Sequence, residues 1–500
     1  MSPTKVTINR LATGVPGLDE VLGGGLPEFS FNLIAGQPGC GKTTLAHQIM
    51  FALASDQRPA LYFTVLGEPP LKMLRYQQQF DFFDNEALNR RVRFINLSEE
   101  AMSGDLGHVL SRIVDEVAQH APGLVFVDSF RSVILASESE AGTHNNGLQQ
   151  FVQQLGMLMT TWQATTFLIG EYFNETDANP VFTVADGLIW LRQSVHRNSM
   201  VRKMEVLKMR GQPTQAGLHT YRISDAGIQV YVPAGMGGAA PALATAGGNG
   251  KASPARVSMG VPELDDMLGG GLPRGYSLLV AGPSGSGKSI LAAAYLAEGE
   301  RRGETGVIAA FEQRPNRERN RLLAELIARG SVCLIDSRPL DLSIDEIVFQ
   351  LLAEIHRVKA TRVVIDSLSG FELALAPTFS EDFRGSLLHL VTALSNAGVT
   401  VLMTSELEDR YTDLRFSPYG SAFLTDAIVV QRYIEVESRL RRVMAVVKVR
   451  ASAHSDELRE YIIDASGLVI GDQLPDQEGL LGGRPTRQRP PKPPAVADDA

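Results

Sequence analysis

Residues 31–54 read FNLIAGQPGCGKTTLAHQIMFALA: an apolar run, a glycine-rich loop and a second apolar-periodic run. The centre, GQPGCGKT at 36–43, fits G-x-x-x-x-G-K-[ST]. FNLIAG (31–36) is expected to be a strand, and Lys42 to Ala54 a helix. That strand–loop–helix context is what this phosphate-loop motif requires. Its glycines let backbone N–H groups turn inward and approach phosphate oxygens. The helix N-terminus aims its partial positive charge at the same anion. Gly36, Gln37, Pro38, Gly39, Cys40, Gly41, Lys42, Thr43 and Thr44 therefore form a candidate ATP site. Lys42 is expected to reach the β- and γ-phosphates, and the Thr43 hydroxyl to bind Mg2+.

The same phrase returns as GPSGSGKS at 282–289, after YSLLVA and before ILAAAYLAEG. It supplies Gly282, Pro283, Ser284, Gly285, Ser286, Gly287, Lys288, Ser289 and Ile290 as a second candidate ATP site, with Ser289 toward Mg2+. The repeat is wider than the loop. Residues 13–44 laid over 259–290, 246 positions later, agree at 17 of 32 positions without a gap. The shared phrase GVPGLDEVLGGGLP (14–27) returns as GVPELDDMLGGGLP (260–273). Its Val15, Leu18 and Leu22 form one apolar face, Pro16 suits a first helical turn, and the glycines suit a helix stop. LVFVDSF (124–130) matches RVVIDSL (362–368), and VLKMRG (206–211) matches VVKVRA (446–451). A period this long marks a duplicated domain.

The duplication sets the expected domains: 1–232, a Gly/Ala/Pro-rich linker at 233–256, a second domain at 257–471, and a proline-rich disordered tail at 472–500. Inside the first copy, ALYFTV (60–65), VRFINL (92–97), LVFVD (124–128) and TTFLIG (165–170) read as strands alternating with helical stretches. Short strands without helices follow. The fold class is α/β: in each copy a mainly parallel sheet flanked by helices, with an antiparallel β extension. Asp128 and Asp366 each end an apolar strand, where a carboxylate can hold Mg2+ beside the phosphate loop.

The bulk properties exclude several classes. The formal charge of −9 gives no general footprint for nucleic acid. The segments after the two strand-end aspartates hold only Arg131 and Arg384 among several acids, so nucleic acid is not an expected partner. Two cysteines, Cys40 and Cys333, suit a reducing compartment. The absence of an apolar run of about 18 residues leaves a soluble cytoplasmic protein with no membrane partner as the expectation. Cys40 reads as a small residue tolerated in its loop, and Trp162 and Trp190 read as core. RYQQQFDFF (75–83) is ambiguous between sheet packing and partner binding.

With the repeat, both phosphate loops and both Asp–Ser pairs, the chain resembles the KaiC family of double-lobed circadian ATPases in the RecA superfamily, over about residues 10–232 and 257–470. The resemblance implies two tandem RecA-like P-loop NTPase domains and a homohexamer with ATP at subunit interfaces. It also implies a Lys-x-Arg pair that reaches the γ-phosphate held by the neighbouring subunit, here Lys208 with Arg210 and Lys448 with Arg450. Residues two apart in a strand share a face, so both cations of a pair can converge on one phosphate. The family's Glu-Glu pair, which orients the attacking water, becomes Glu312-Gln313 in the second copy. The first copy has Leu66-Gly67 there, with Glu68 nearby, so the two sites are expected to hydrolyse ATP unequally. The family's phosphoacceptor positions fall in GSAFLTDA (420–427) on Ala422 and Phe423, which lack hydroxyls. The expected function is an ATP-hydrolysing regulator whose output is binding of a protein signalling partner. The rival readings are a Ser/Thr autokinase and autophosphatase, and a recombinase-like ATPase.

Overall fold

The computed structural model describes residues 8–65, 70–102, 105–129, 144–173, 180–196, 199–232, 255–311, 320–336, 343–375, 383–407, 424–436, 438–465, 467–473, 477–478 and 486–487. The chain divides into two compact units, 1–237 and 238–500.

The first unit opens with a small ladder, β1 (Arg10–Leu11) against β2 (Leu26–Pro27). The main sheet contains β3 (Phe31–Gly36), β4 (Ala60–Thr64), β5 (Val92–Asn96), β6 (Leu124–Asp128), β7 (Thr165–Glu171), β8 (Gly187–His196), β9 (Ser199–Met209), β10 (His219–Ser224) and β11 (Gly227–Tyr231). Its order is β11-β10-β9-β8-β3-β7-β6-β4-β5. From β8 to β5 all neighbours are parallel; from β8 to β11 they are antiparallel. The second unit repeats this plan. Its ladder is β12 (Arg256–Val257) with β13 (Leu272–Pro273). Its sheet contains β14 (Ser277–Gly282), β15 (Gly306–Ala310), β16 (Val332–Asp336), β17 (Arg362–Asp366), β18 (Thr400–Glu406), β19 (Ala427–Val436), β20 (Arg439–Val449), β21 (Leu458–Asp464) and β22 (Gly467–Gln473). The order is β16-β15-β17-β18-β14-β19-β20-β21-β22.

The central strands are mostly apolar because helices cover both faces. Alternation sorts the residues: Ile34, Tyr62, Phe126 and Phe167 face the phosphate-loop helix Lys42–Leu53, packing with Leu45, Ile49 and Met50. Leu33, Leu61, Val125 and Leu168 face the opposite layer, with Ile113 and Leu155. Trp190 is buried in that second layer, and Trp162 packs partly buried against it. The end of the ambiguous 75–83 stretch packs inward, Phe83 at 4.9 Å and Phe82 at 6.3 Å from the Phe51 ring on the phosphate-loop helix, while Tyr76 is exposed.

The triple glycine has a specific cause. Gly23, Gly24 and Gly25 have φ of +76°, +117° and +107°. A Cβ on Gly25 would sit 2.4 Å from the Leu11 carbonyl oxygen, and one on Gly23 2.1 Å from that of Pro213. Gly269 and Gly271 meet the Ala453 and Val257 carbonyls in the same way. The repeated aspartate ties the entry segment down: Asp19 Oδ1 accepts from the Thr13 amide at 2.8 Å and Asp265 Oδ1 from the Met259 amide at 2.7 Å. One local expectation shifts. In the first unit the helix covers only Leu18–Val21, because Gly17 at φ +79° precedes it; in the second, Pro262 does open the helix. Two sequence boundaries also differ in detail. Strand β12 begins at Arg256 inside the expected linker, and β22 continues to Gln473, followed by a short ladder of Gln477–Glu478 with Thr486–Arg487.

A buried titratable residue is among the differences between the cores. His47 on the phosphate-loop helix is fully buried, with its ring 4.6 Å from Tyr62 and 5.8 Å from Phe94. Ala293 stands at the matching position of the second copy. Burial lowers the His47 pKa from 6.5 to about 4, and Gln77 opposes this only in part. The folded state thus refuses a proton that the unfolded chain accepts. Its stability is intact above the unfolded pKa and is lost as pH falls from about 6.5 toward 4, by on the order of 3 kcal/mol in total. Both tryptophans, Trp162 and Trp190, lie in the first unit, so their emission reports its unfolding. Urea titrations at pH 7 and 4.5 should show a steep loss for the wild type and a clearly smaller one for His47→Leu.

Candidate functional site

In each unit the phosphate loop leaves a central strand and enters a helix whose N-cap glycine is left-handed, Gly41 at φ +98° and Gly287 at φ +99°. Larger residues do not fit there: a Cβ would approach Ile223 Cδ1 to 2.6 Å in the first unit and Ile463 Cδ1 to 2.7 Å in the second. The antiparallel extension therefore braces the loop. It does so again through a phenol in each copy: Tyr221 donates to the Cys40 carbonyl at 2.5 Å and Tyr461 to the Ser286 carbonyl at 2.7 Å. Ser286 Oγ also donates to Gln431 Oε1 at 2.9 Å. Cys40 is buried, and desolvation raises its thiol pKa although Lys42 opposes this, which disfavours the reactive thiolate.

Lys42 Nζ folds over its loop and donates to the Gln37 carbonyl at 2.8 Å; Lys288 Nζ donates to Gly282 and Pro283 carbonyls, each at 2.8 Å. The first loop borders a cavity of about 350 Å³ that is also lined by Thr44, Asp128, Ser129 and Glu171. The second borders one of about 270 Å³, with Ile290, Asp366, Ser367 and Glu406. Both are open clefts at the C-terminal ends of parallel strands, where α/β sheets bind ligands.

The strand-end carboxylates Asp128 and Asp366 line the clefts beside the phosphate loops. Thr43 Oγ1 donates to Asp128 Oδ2 at 2.8 Å. Burial raises the Asp128 pKa, while hydrogen bonds from Thr43 and Tyr62 and the charge of Lys42 hold it down. In the second unit Ser289 and Asp366 line one cavity, and Thr404 Oγ1 donates to Asp366 Oδ1 at 2.5 Å. Among the described residues no group of three or more His, Cys, Asp or Glu side chains is placed to hold a metal ion. One carboxylate beside one hydroxyl, facing a phosphate cradle, is a donor set that suits Mg2+, which takes its remaining ligands from phosphates and water.

The Lys-x-Arg pairs lie elsewhere. Lys208 pairs with Leu188 on β8, and Leu188 pairs with Leu33 on β3, while the Arg210 amide donates to the Asp186 carbonyl just before β8. The phosphate loop begins at Gly36, three residues or about 10 Å along the strand from Leu33. Lys208 Nζ donates to the Thr183 carbonyl at 3.0 Å, and Arg210 Nη1 meets Asp186 Oδ1 at 3.1 Å. Lys448 and Arg450 repeat the arrangement, with the Thr425 carbonyl at 2.7 Å and Asp426 Oδ1 at 3.4 Å. Desolvation and the adjacent arginine lower the pKa of each lysine. Glu68 and Glu312, with Leu66, Gly67 and Gln313, lie outside the described residues, as do Ala422 and Phe423.

Sequence reading missed Tyr62, Thr404, Glu171 and Glu406. The two glutamates carried a usable signal, since each ends the strand after the Asp-bearing one, in TTFLIGE and TVLMTSE.

Two phosphate loops, each on a central parallel strand beside an Asp-ended strand and braced by an antiparallel extension, define a tandem P-loop ATPase of RecA-like architecture. The chain belongs to the KaiC family: the family described as "ATPase: KaiC" matches residues 11–235 and 257–474. It is 28% identical over 494 residues to the circadian clock oscillator protein KaiC of Rippkaea orientalis, covering 96% of this chain and 92% of the relative. The protein of that name from Picosynechococcus sp. is also 28% identical, with 96% and 93% covered. The circadian clock protein KaiC3 of Synechocystis sp. is 27% identical over 493 residues, with 96% and 95% covered.

Proposed function

We propose that this KaiC-family ATPase works as a ring, a homohexamer in the first instance, whose subunits complete one another's ATP sites. The observation that carries this is the position of the cation pairs. Each lies at the end of its sheet remote from its own phosphate loop, where it cannot serve that loop's γ-phosphate. Two crowded cations at the end of one strand suit an anion presented by a neighbour. In this reading residues 1–232 and 257–471 are the two ATPase domains, with 233–256 as linker and 472–500 as tail. Thr43 with Asp128, and Ser289 with Asp366, would hold Mg2+. The bound ion supplies neutralisation of charge on the β- and γ-phosphate oxygens. Lys42 and Lys288 bind the phosphates, and Glu312 orients water in the second domain more effectively than Glu68 does in the first.

The output is partner binding by the ring in the cytoplasm. Among the described residues no helix is long and apolar enough to cross a membrane. The autokinase reading is weaker here. Ala422 and Phe423 lack hydroxyls, and neighbouring Thr425 is fully buried. Mass photometry with and without ATP, followed by tracing of γ-32P, tests the proposal. Rings that appear only with ATP and label released as phosphate are expected. A chain that stays monomeric with saturating ATP overturns the ring, and label retained on protein favours the autokinase.

A further inference from the structure

We propose that the two domains position their metal-facing carboxylate from opposite sides, through Tyr62 in the first and Thr404 in the second. The inference rests on the reading above that these sites hold ATP with Mg2+. Strand β6, which carries Asp128, runs between β4 and β7; β17, which carries Asp366, runs between the matching β15 and β18. In the first domain the support comes from the β4 side: the Tyr62 hydroxyl donates to Asp128 Oδ2 at 2.8 Å, the same oxygen that accepts from Thr43. In the second it comes from the β18 side: Thr404 donates to Asp366 Oδ1.

The exchange is reciprocal. Tyr62 pairs with Phe126 and Ile308 with Val364, at the same step of the ladder, so Ile308 holds the place of Tyr62. Ile169 pairs with Ile34 and Thr404 with Val280, so Ile169 holds the place of Thr404. Tyr62, Ile169, Ile308 and Thr404 are all fully buried. Each domain thus has one hydroxyl and one isoleucine at these two places, in opposite order. A buried hydroxyl is retained only where it finds a partner, and a carboxylate held by a fixed donor keeps its plane when the metal arrives. The phenol is itself clamped, with the His47, Phe94 and Phe126 rings 4.6, 5.2 and 5.8 Å from its own. Tyr62→Phe therefore removes the donor while leaving the packing.

The test uses the full chain with one phosphate-loop lysine replaced, Lys288→Ala to read the first domain or Lys42→Ala to read the second. Mn2+ binding is followed by electron paramagnetic resonance with a non-hydrolysable ATP analogue, and metal-free binding by a fluorescent ATP analogue in EDTA. In the first-domain background, Tyr62→Phe should weaken Mn2+ binding about tenfold, the lower end for supporting partners of a metal ligand. Metal-free nucleotide binding should stay within twofold. Tyr62→Phe with Ile169→Thr, which moves the donor to the other side, should restore Mn2+ binding to within about twofold. Thr404→Val should weaken Mn2+ binding only in the second-domain background. Unchanged Mn2+ binding in Tyr62→Phe, equal loss with and without metal, or no recovery in the double variant overturns the proposal. Parent chains that bind neither nucleotide nor Mn2+ would instead overturn the ATP-site reading.

Discussion

Subunits carrying Arg210→Ala, with the second domain silenced by Lys288→Ala, should bind ATP normally and hydrolyse it about 10^3-fold more slowly or worse, the scale of a lost arginine finger. The size follows from geometry. Arg210 is anchored by Asp186 at the start of the central strands, remote from its own loop, so its loss leaves the home phosphate grip intact. In the proposed ring, what disappears is charge stabilisation for the neighbour's γ-phosphate. Mixing separates this from misfolding. Lys42→Ala subunits in the same Lys288→Ala background are also inactive, because they lack a grip, but they retain Arg210. In an equal mixture about one interface in four combines an intact grip with an intact arginine, as a head-to-tail ring contact allows. Turnover should therefore reappear on mixing two inactive proteins. A mixture as inactive as its components would remove the trans role, and with it the main physical reason for a ring.

The elements legible in the sequence are the ones set by local chemistry. GQPGCGKT and GPSGSGKS declare themselves because a phosphate loop needs glycines, lysine and a hydroxyl at fixed spacing, and the repeat of GVPGLDEVLGGGLP declares a duplication. VFVD and VVID place the carboxylates because an apolar run ending in Asp is a local pattern. The glycines were legible as a helix stop, but their close approach to Leu11 and Pro213 depends on chain brought back from afar. Tyr62 shows the limit most plainly. In the sequence it is one aromatic in ALYFTV, suited to any buried strand. Only the order of the sheet places its hydroxyl on Asp128, two strand positions beyond its own pairing partner Phe126. Thr404 in TVLMTSE is equally anonymous until β18 is seen beside β17. Tyr221 and Tyr461 brace the phosphate loops from 181 and 175 residues away, which no local pattern encodes.

Glu312→Gln should lower hydrolysis in the second domain by about 10^2-fold or more with ATP binding retained, since an amide keeps the shape of the carboxylate but cannot accept a proton from water. Glu68→Gln should change first-domain hydrolysis by no more than a few-fold. The backbone supports this expectation. The Phe311 amide donates to the Asp366 carbonyl at 3.1 Å, and the Val65 amide donates to the Asp128 carbonyl at 2.9 Å, so the two chains leave their sheets at equivalent points. The next residue is Glu312 in the second domain and Leu66 in the first. Glu68 comes two residues later, up to about 7 Å further along the chain. A carboxylate displaced by even part of that distance would lose the orientation on which activation of water depends, since a misplacement of 1 Å already costs about 10^2-fold in rate. Single-turnover hydrolysis, read for each domain with the other phosphate-loop lysine replaced, separates the two sites. The wild type should bind two ATP per subunit and turn over the second-domain nucleotide faster. Equal losses from Glu68→Gln and Glu312→Gln would show two equivalent catalytic sites and end the case for a division of labour between the domains.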